Sequence, residues 1–298
     1  MAHDHHHHHH GSKNIKIAFF LNLAFTILEV IGGLYLNSVA ILSDAVHDLG
    51  DSLSLGTSWF LQSKSNKKAD KKFSFGYKRL SLLGALINGV ILVGGSIYII
   101  YEGIIRITHP EPSHAEGMMY FAFLGVAVNG YAAWKVSTGK SMNEKVLSWH
   151  LLEDMLGWVA ILIVSIVMQF TDNMYLDPIL SLVITSYILF NVFRRLNETL
   201  YLFLQGNPSE IDVVKLESDI LETENVLSLH HLHSWSLDGE HHVFSVHVVI
   251  ENVVSLEQLR AVQKSLDELI EDYPFDHHAI QIELEGDHCD LRDTEHSH

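Results

Sequence analysis

The sequence predicts an α-helical membrane protein with six transmembrane helices, followed by a small cytoplasmic α+β domain. Three observations lead there. Six apolar runs are each about 20 residues long, the length a helix needs to cross a ~30 Å hydrocarbon core. After Gly206, Asn207 and Pro208 these runs give way to short amphipathic and alternating segments. The formal charge of −17 also belongs to the last third: residues 1–205 carry 15 acidic and 15 basic side chains, residues 206–298 carry 21 and 4. At 298 residues, 48% hydrophobic and 18% charged, with mean hydropathy +0.17, the chain is too apolar for one ordinary soluble domain. Its acidity argues against a nucleic-acid-binding protein.

In chain order the spans are Ile15–Leu36, Val39–Gln62, Leu80–Gly103, Ala115–Val136, Val146–Phe170 and Tyr175–Leu196. Buried helices of a soluble bundle are the alternative reading of the same pattern. The first span has a weakly basic start and no small-residue cleavage site, so it is not read as a signal peptide. Between spans two and three lie Lys64, Lys67, Lys68, Lys71, Lys72, Lys78 and Arg79 against one acid, Asp70. Lys140 and Lys145 lie between spans four and five, and Arg194 and Arg195 close the sixth. The opposite loops hold Arg106, His109, Glu111, His114 and Glu116, then Asp172 and Asp177, with little positive charge. The positive-inside rule therefore places both termini in the cytoplasm, as for a multi-pass membrane protein.

The remainder reads as helix Glu210–Glu222, strand Val226–Ser236, strand His241–Glu251, helix Ser255–Glu271 and strand Ala279–Glu285, with Asp238-Gly239 suited to a hairpin turn. That order makes a small sheet covered by helices on one face. The expected organisation is a His-rich tail over 1–12, a transmembrane domain over 13–205, the α+β domain over 206–287 and an acidic, His-containing tail over 288–298. The first tail reads equally as a native segment or an affinity tag, and has nothing apolar to fold around.

Ionisable residues inside a span are costly and by default mark a polar pathway or site. Span two contains His47 and Asp51, span five His150 and Asp154, each pair at i and i+4 and so stacked on one helical face. Two such faces turned together supply two imidazole nitrogens and two carboxylate oxygens, which suits tetrahedral Zn²⁺. Two neutral His, two carboxylates and one divalent ion sum to zero charge, the cheapest state in low dielectric. Polar helix–helix contacts are the alternative for each pair. No His-Glu-x-x-His motif and no Ser or Cys nucleophile accompanies them, so passage of an ion fits better than catalysis. Asn22, Thr26 and Glu29 share a face of span one, and Asp44 lies one turn before His47. They read as polar packing or as lining near the site. Asp177 before Pro178 fits the cap and first position of the sixth helix.

The runs Leu42-Ser43-Asp44-Ala45-Val46-His47-Asp48-Leu49-Gly50-Asp51, Phe73-Ser74-Phe75-Gly76-Tyr77, His150-Leu151-Leu152-Glu153-Asp154 and Asp177-Pro178-Ile179-Leu180-Ser181 together resemble the cation diffusion facilitator family, in its bacterial zinc, cadmium and cobalt efflux branch. The resemblance covers residues 13–287. It implies six spans and a metallochaperone-like cytoplasmic domain in a homodimer. It further implies a proton-coupled antiporter, not an enzyme, that exports Zn²⁺, or Cd²⁺ or Co²⁺, by alternating access, with His47, Asp51, His150 and Asp154 as the transport site. Zn²⁺ is then substrate rather than cofactor, and a regulatory ligand of the cytoplasmic domain.

The resemblance also implies two further metal positions. In the loop after span two Asp70 is kept, but Phe73 and Tyr77 stand where histidines would be, so its lysines are read as partners of anionic lipid headgroups or of the acidic domain. In the cytoplasmic domain the candidates are His230, His231, His233, His241, His242, His247, His277, His278, Glu283, Glu285 and His288. The family's centre maps onto His230, His247, Glu283 and Glu285, with Arg260 in place of a further ligand. Strict strand alternation puts His231 and His233 on one face and His230 on the other. A single cysteine, Cys289, excludes a disulfide framework and a Cys-only zinc site. Two competing classes remain: a metal sensor whose membrane pairs are structural, and an intramembrane enzyme.

Overall fold

A computed structural model describes residues 8–65, 69–137, 142–171, 173–286 and 289. Lys67, Lys68, Lys140, Asp172, Asp287, His288, residues 1–7 with His3 and His5–His7, and residues 290–298 lie outside them. The chain forms two compact units that divide between Asn197 and Glu198.

The first unit is built from α1 (His8–Leu36), α2 (Val39–Ser65), α3 (Leu80–Thr108), α4 (Ala115–Ser137), α5 (Met142–Phe170) and most of α6 (Leu176–Phe203). Most helices outrun their apolar stretches by about a turn or more, because adding residues to a formed helix costs far less than nucleating one. Helix α1 accordingly reaches back to His8. Of the six, α1, α3, α5 and α6 are long and apolar enough to cross a membrane by length and composition. Among the described residues α2 does not reach that standard, where Asp44, Asp48 and Asp51 interrupt it, and the six-span count is left at these four. In α4 Tyr120, Asn129, Tyr131 and Trp134 dilute the apolar character.

Apolar packing fixes the helix that carries one pair of candidate ligands against the helix that carries the other. Ala40 and Ile41 of α2, Met118 and Ala122 of α4, and Trp158 and Ile161 of α5 form one buried cluster with Leu36. The Trp158 ring meets Phe25 edge-on at 6.1 Å and lies so close to Gly125 that a Cβ there would fall on the indole. On α3, Leu92 packs against Gly50, one residue before Asp51. At the α1–α2 turn Asn37 takes φ 52°. Its carbonyl and side-chain oxygen accept from Arg106 at 2.7 and 2.6 Å.

Asp177 does something other than cap its own helix. It lies in the first turn of α6, and its carboxylate accepts from Ser38 Oγ (2.6 Å), Val39 N (2.8 Å) and Ala40 N (3.2 Å). It therefore satisfies the N-terminus of α2, where orphan N–H groups and the helix dipole favour a carboxylate. The expectation of a structural residue holds; the helix it caps is a different one.

The second unit contains α7 (Val213–Leu221), β1 (Val226–Ser236), β2 (His242–Ile250), α8 (Leu256–Glu271) and β3 (His277–Leu284). Asp212 and Ser255 cap α7 and α8 by accepting backbone N–H bonds. The sheet order is β1-β2-β3, with β1–β2 antiparallel and β2–β3 parallel. Phe244, Val246, Val248 and Ile250 alternate inward and pack with Leu216, Ile220, Val262, Leu266 and Ile270 of the two helices. The intervening residues of β2, His247 among them, face the opposite side of the sheet. Gly239 supplies φ 100° at the hairpin, where Asp238 Oδ1 accepts from Glu240 N and His241 N.

Strict alternation fails in β1. Leu229 and Leu232 both pack on the helix side although they are three positions apart. A bulge between His230 and His233 absorbs the extra residue, with His231 at φ 50°. His230 and His231 are consequently both brought beside His247, at ring distances of 5.2 and 5.1 Å, rather than on opposite faces.

Candidate metal centres

In the first unit α2 and α5 bring His47, Asp51, His150 and Asp154 together, one ligand atom from each lying within 4.8 Å of the others. The i,i+4 spacing stacks each pair along its helix, and the Trp158–Ile41 cluster holds the two helices side by side. His150 Nε2 stands 2.9 Å from Asp51 Oδ2 and 3.8 Å from Asp154 Oδ2. His47 Nε2 stands 3.5 Å from Asp154 Oδ1 and 3.8 Å from Asp51 Oδ2. A tetrahedral ion with bonds near 2.0–2.1 Å has ligand–ligand edges of about 3.3 Å. These four separations bracket that value, Asp154 meeting His47 through Oδ1 and His150 through Oδ2, so the cluster is of a size that one divalent ion could occupy.

The four side chains are part-exposed, His150 most at 32% and Asp154 least at 10%. Around them the surroundings are acidic: Glu29, Asp44 and Asp48 are all buried. Asn22 Nδ2 donates to the Asp48 carbonyl and to Ser52 Oγ, both at 3.0 Å, and joins α1 to the ligand helix. Asp48, adjacent to His47, stands in the family motif but was given no role from the sequence, although a third acid in an apolar run was the available signal.

Asp70 is engaged in its own loop. Oδ1 accepts from Lys72 N and Phe73 N, and Oδ2 accepts from Tyr77 OH at 2.8 Å. Its carboxylate thus closes a turn, and Tyr77 replaces a would-be ligand with a donor.

In the second unit His230, His247, Glu283 and Cys289 converge on the open face of the sheet, again with one ligand atom each within 4.8 Å. His230 and His247 are cross-strand partners, and Glu283 follows Gln281, the partner of His247, by two residues on the same face. His247 Nδ1 lies 2.8 Å from Glu283 Oε1, and His230 Nε2 lies 3.2 Å from Glu283 Oε2. Burial pushes the Glu283 carboxyl up, but the hydrogen bond from His247 and the neighbouring His230 and Cys289 outweigh it and hold the group below the usual glutamate range. Glu285 is not in this group. The strand ends at Leu284, and Glu285 sits exposed in the turn that follows. Cys289 was missed because it lies beyond the last strand, where pairing rules say nothing. Of the other described histidines, His231 lies beside His247, His241 pairs with Asp238 in the hairpin, and His278 pairs with Asp267.

Apolar helices around a His/Asp cluster, with an α+β domain appended, define the class as a multi-pass membrane protein. The description "Cation efflux transmembrane domain" matches residues 15–204, and "Cation efflux protein, cytoplasmic domain" matches residues 208–285. The chain belongs to the cation efflux family, and is a transporter rather than an enzyme. Among its relatives, a "Cadmium, cobalt and zinc/H(+)-K(+) antiporter" of Bacillus velezensis is 33% identical over 95% of this chain and 92% of its own length. The "Metal cation efflux system protein CzcD" of Cupriavidus metallidurans is 33% identical over 95% and 90%. The "Zinc transporter ZitB" of Pectobacterium atrosepticum is 32% identical over 99% and 94%.

Proposed function

We propose that the protein exports Zn²⁺ from the cytoplasm in exchange for protons, by alternating access through His47, Asp51, His150 and Asp154, with Cd²⁺ and Co²⁺ as further cargo. The observation that carries this is the convergence of the four donors from α2 and α5, one ligand atom of each within 4.8 Å of the others. Two imidazoles and two carboxylates match Zn²⁺ in donor type and in charge. The names of the relatives, which speak of zinc, cadmium, cobalt and protons, support the same cargo. Every atom that binds the metal also binds a proton, so occupancy by one opposes the other, the minimum an exchanger requires.

All six helices α1–α6 cross the inner membrane in this reading, with both termini and the α+β domain in the cytoplasm. Acids within α2 cost less there than in lipid because they face other helices and the ion path. The protein works as a homodimer, and the α+β domain takes zinc as a regulatory ligand. The coupling is tested in sealed proteoliposomes holding a fluorescent zinc indicator. An acidic interior should drive zinc inward, and flux indifferent to the imposed pH gradient removes proton exchange from the account.

A further inference from the structure

The sulfur of Cys289 stands with His230, His247 and Glu283, one ligand atom of each within 4.8 Å of the others. It lies 3.7 Å from His247 Nδ1. For a tetrahedral zinc ion, a sulfur bonded at about 2.3 Å and an imidazole nitrogen at about 2.05 Å are separated by about 3.6 Å. The His230–Glu283 separation of 3.2 Å is near the all-nitrogen-and-oxygen edge of about 3.3 Å. The cysteine is 7% exposed and so is Glu283, so the donors point into the protein rather than into solvent. Gly286, at φ 90°, turns the chain just past β3, and Cys289 lies against the face that carries His247.

We propose that Cys289 is a metal ligand and completes a His230–His247–Glu283–Cys289 centre that binds Zn²⁺ or Cd²⁺. This rests on the reading that the α+β domain takes metal, and changes its donor set by replacing Glu285 with a thiolate. Two neutral imidazoles, one carboxylate and one thiolate balance a divalent ion. The thiolate shifts preference toward softer ions, so Cd²⁺ and Zn²⁺ gain over Mn²⁺ and Mg²⁺, which favour oxygen-rich sites. The second function follows from chemistry: a thiolate held by zinc is shielded from alkylation, and modification of the sulfur removes a donor and weakens the centre.

Because the chain has one cysteine, any thiolate signal belongs to Cys289. The full-length protein carrying Asp51→Ala and Asp154→Ala, which lacks the membrane carboxylates, is titrated with Co²⁺ in detergent. Tetrahedral cobalt gives visible d–d bands, and a thiolate ligand adds a near-ultraviolet charge-transfer band. The proposal expects both, with the second lost and cobalt affinity lowered roughly tenfold or more in Cys289→Ser. Visible bands without the charge-transfer band overturn the cysteine ligand and leave the metal-binding domain standing. No cobalt bound overturns both. On the otherwise unchanged chain, saturating Zn²⁺ should slow maleimide labelling of Cys289, and His247→Ala should abolish that protection. Labelling that zinc does not alter contradicts the proposal, whatever the fold of the double variant.

Discussion

His150 Nε2 and Asp51 Oδ2, 99 residues apart in the chain, lie 2.9 Å from each other across the interface of α5 and α2. Neither residue belongs to the other's i,i+4 pair. The cross-helix contact therefore joins two local motifs into one set of four donors.

Loss of His150 should leave His47, Asp51 and Asp154 with three donors and two charges. Isothermal titration of His150→Ala should show zinc affinity at the membrane site reduced by more than the 10–100-fold that loss of a ligand's supporting partner costs. The cytoplasmic centre should be unaffected, because its donors lie in the other unit.

Asp177→Ala strips an acceptor from Ser38 Oγ, Val39 N and Ala40 N, all buried. Leaving such donors unsatisfied costs about 1–3 kcal/mol each, so a combined loss of roughly 3 kcal/mol is expected. Thermal unfolding in detergent should show the drop, and Asp177→Asn, which keeps one oxygen acceptor, should recover part of it.

Gly125→Val places new carbon atoms on the Trp158 ring. Overpacking of this kind costs about 1–3 kcal/mol, and here it also pushes α5 away from its neighbours. Reduced thermal stability accompanied by weaker zinc binding is the expected pair of results. Weaker stability with unaltered binding would show that Trp158 does not set the position of the ligands.

Tyr273 OH donates to Asp219 Oδ2 at 2.6 Å. Burial, and then the hydrogen bond and charge of Asp219, push its phenol up to about 12. The folded value lies above the unfolded one, near 10. Its contribution to stability is thus complete below about pH 10 and is lost as pH rises through about 12. Tyr273→Phe should cost about 1.5 kcal/mol at neutral pH and flatten this alkaline decline in denaturant unfolding.

Much of the architecture was legible from local rules. Apolar length located the long helices, and the switch to alternation at Gly206 located the α+β order. The clustering of His47, Asp51, His150 and Asp154 was legible because i,i+4 spacing is a local property of a helix. What was lost depended on tertiary partners. The identity of the helix that Asp177 caps is decided by packing of α6 on α2. The bulge in β1 inverted the parity of His230, although Leu229 and Leu232, three residues apart and both apolar, carried its signal. Glu285 lay at the right spacing for a strand that stops one residue earlier, and Cys289 reaches the same face by a turn that alternation does not encode.

The central claim is that metal passes through the four donors of α2 and α5. The most direct measurement is zinc uptake into sealed, acidic-inside proteoliposomes, comparing the unmodified protein with Asp154→Ala at equal incorporation. Uptake by the unmodified protein that is abolished in the variant, while zinc still binds the cytoplasmic centre, is the predicted result. Equal uptake by both proteins contradicts the account, because the ion would then be crossing by a route that does not include Asp154.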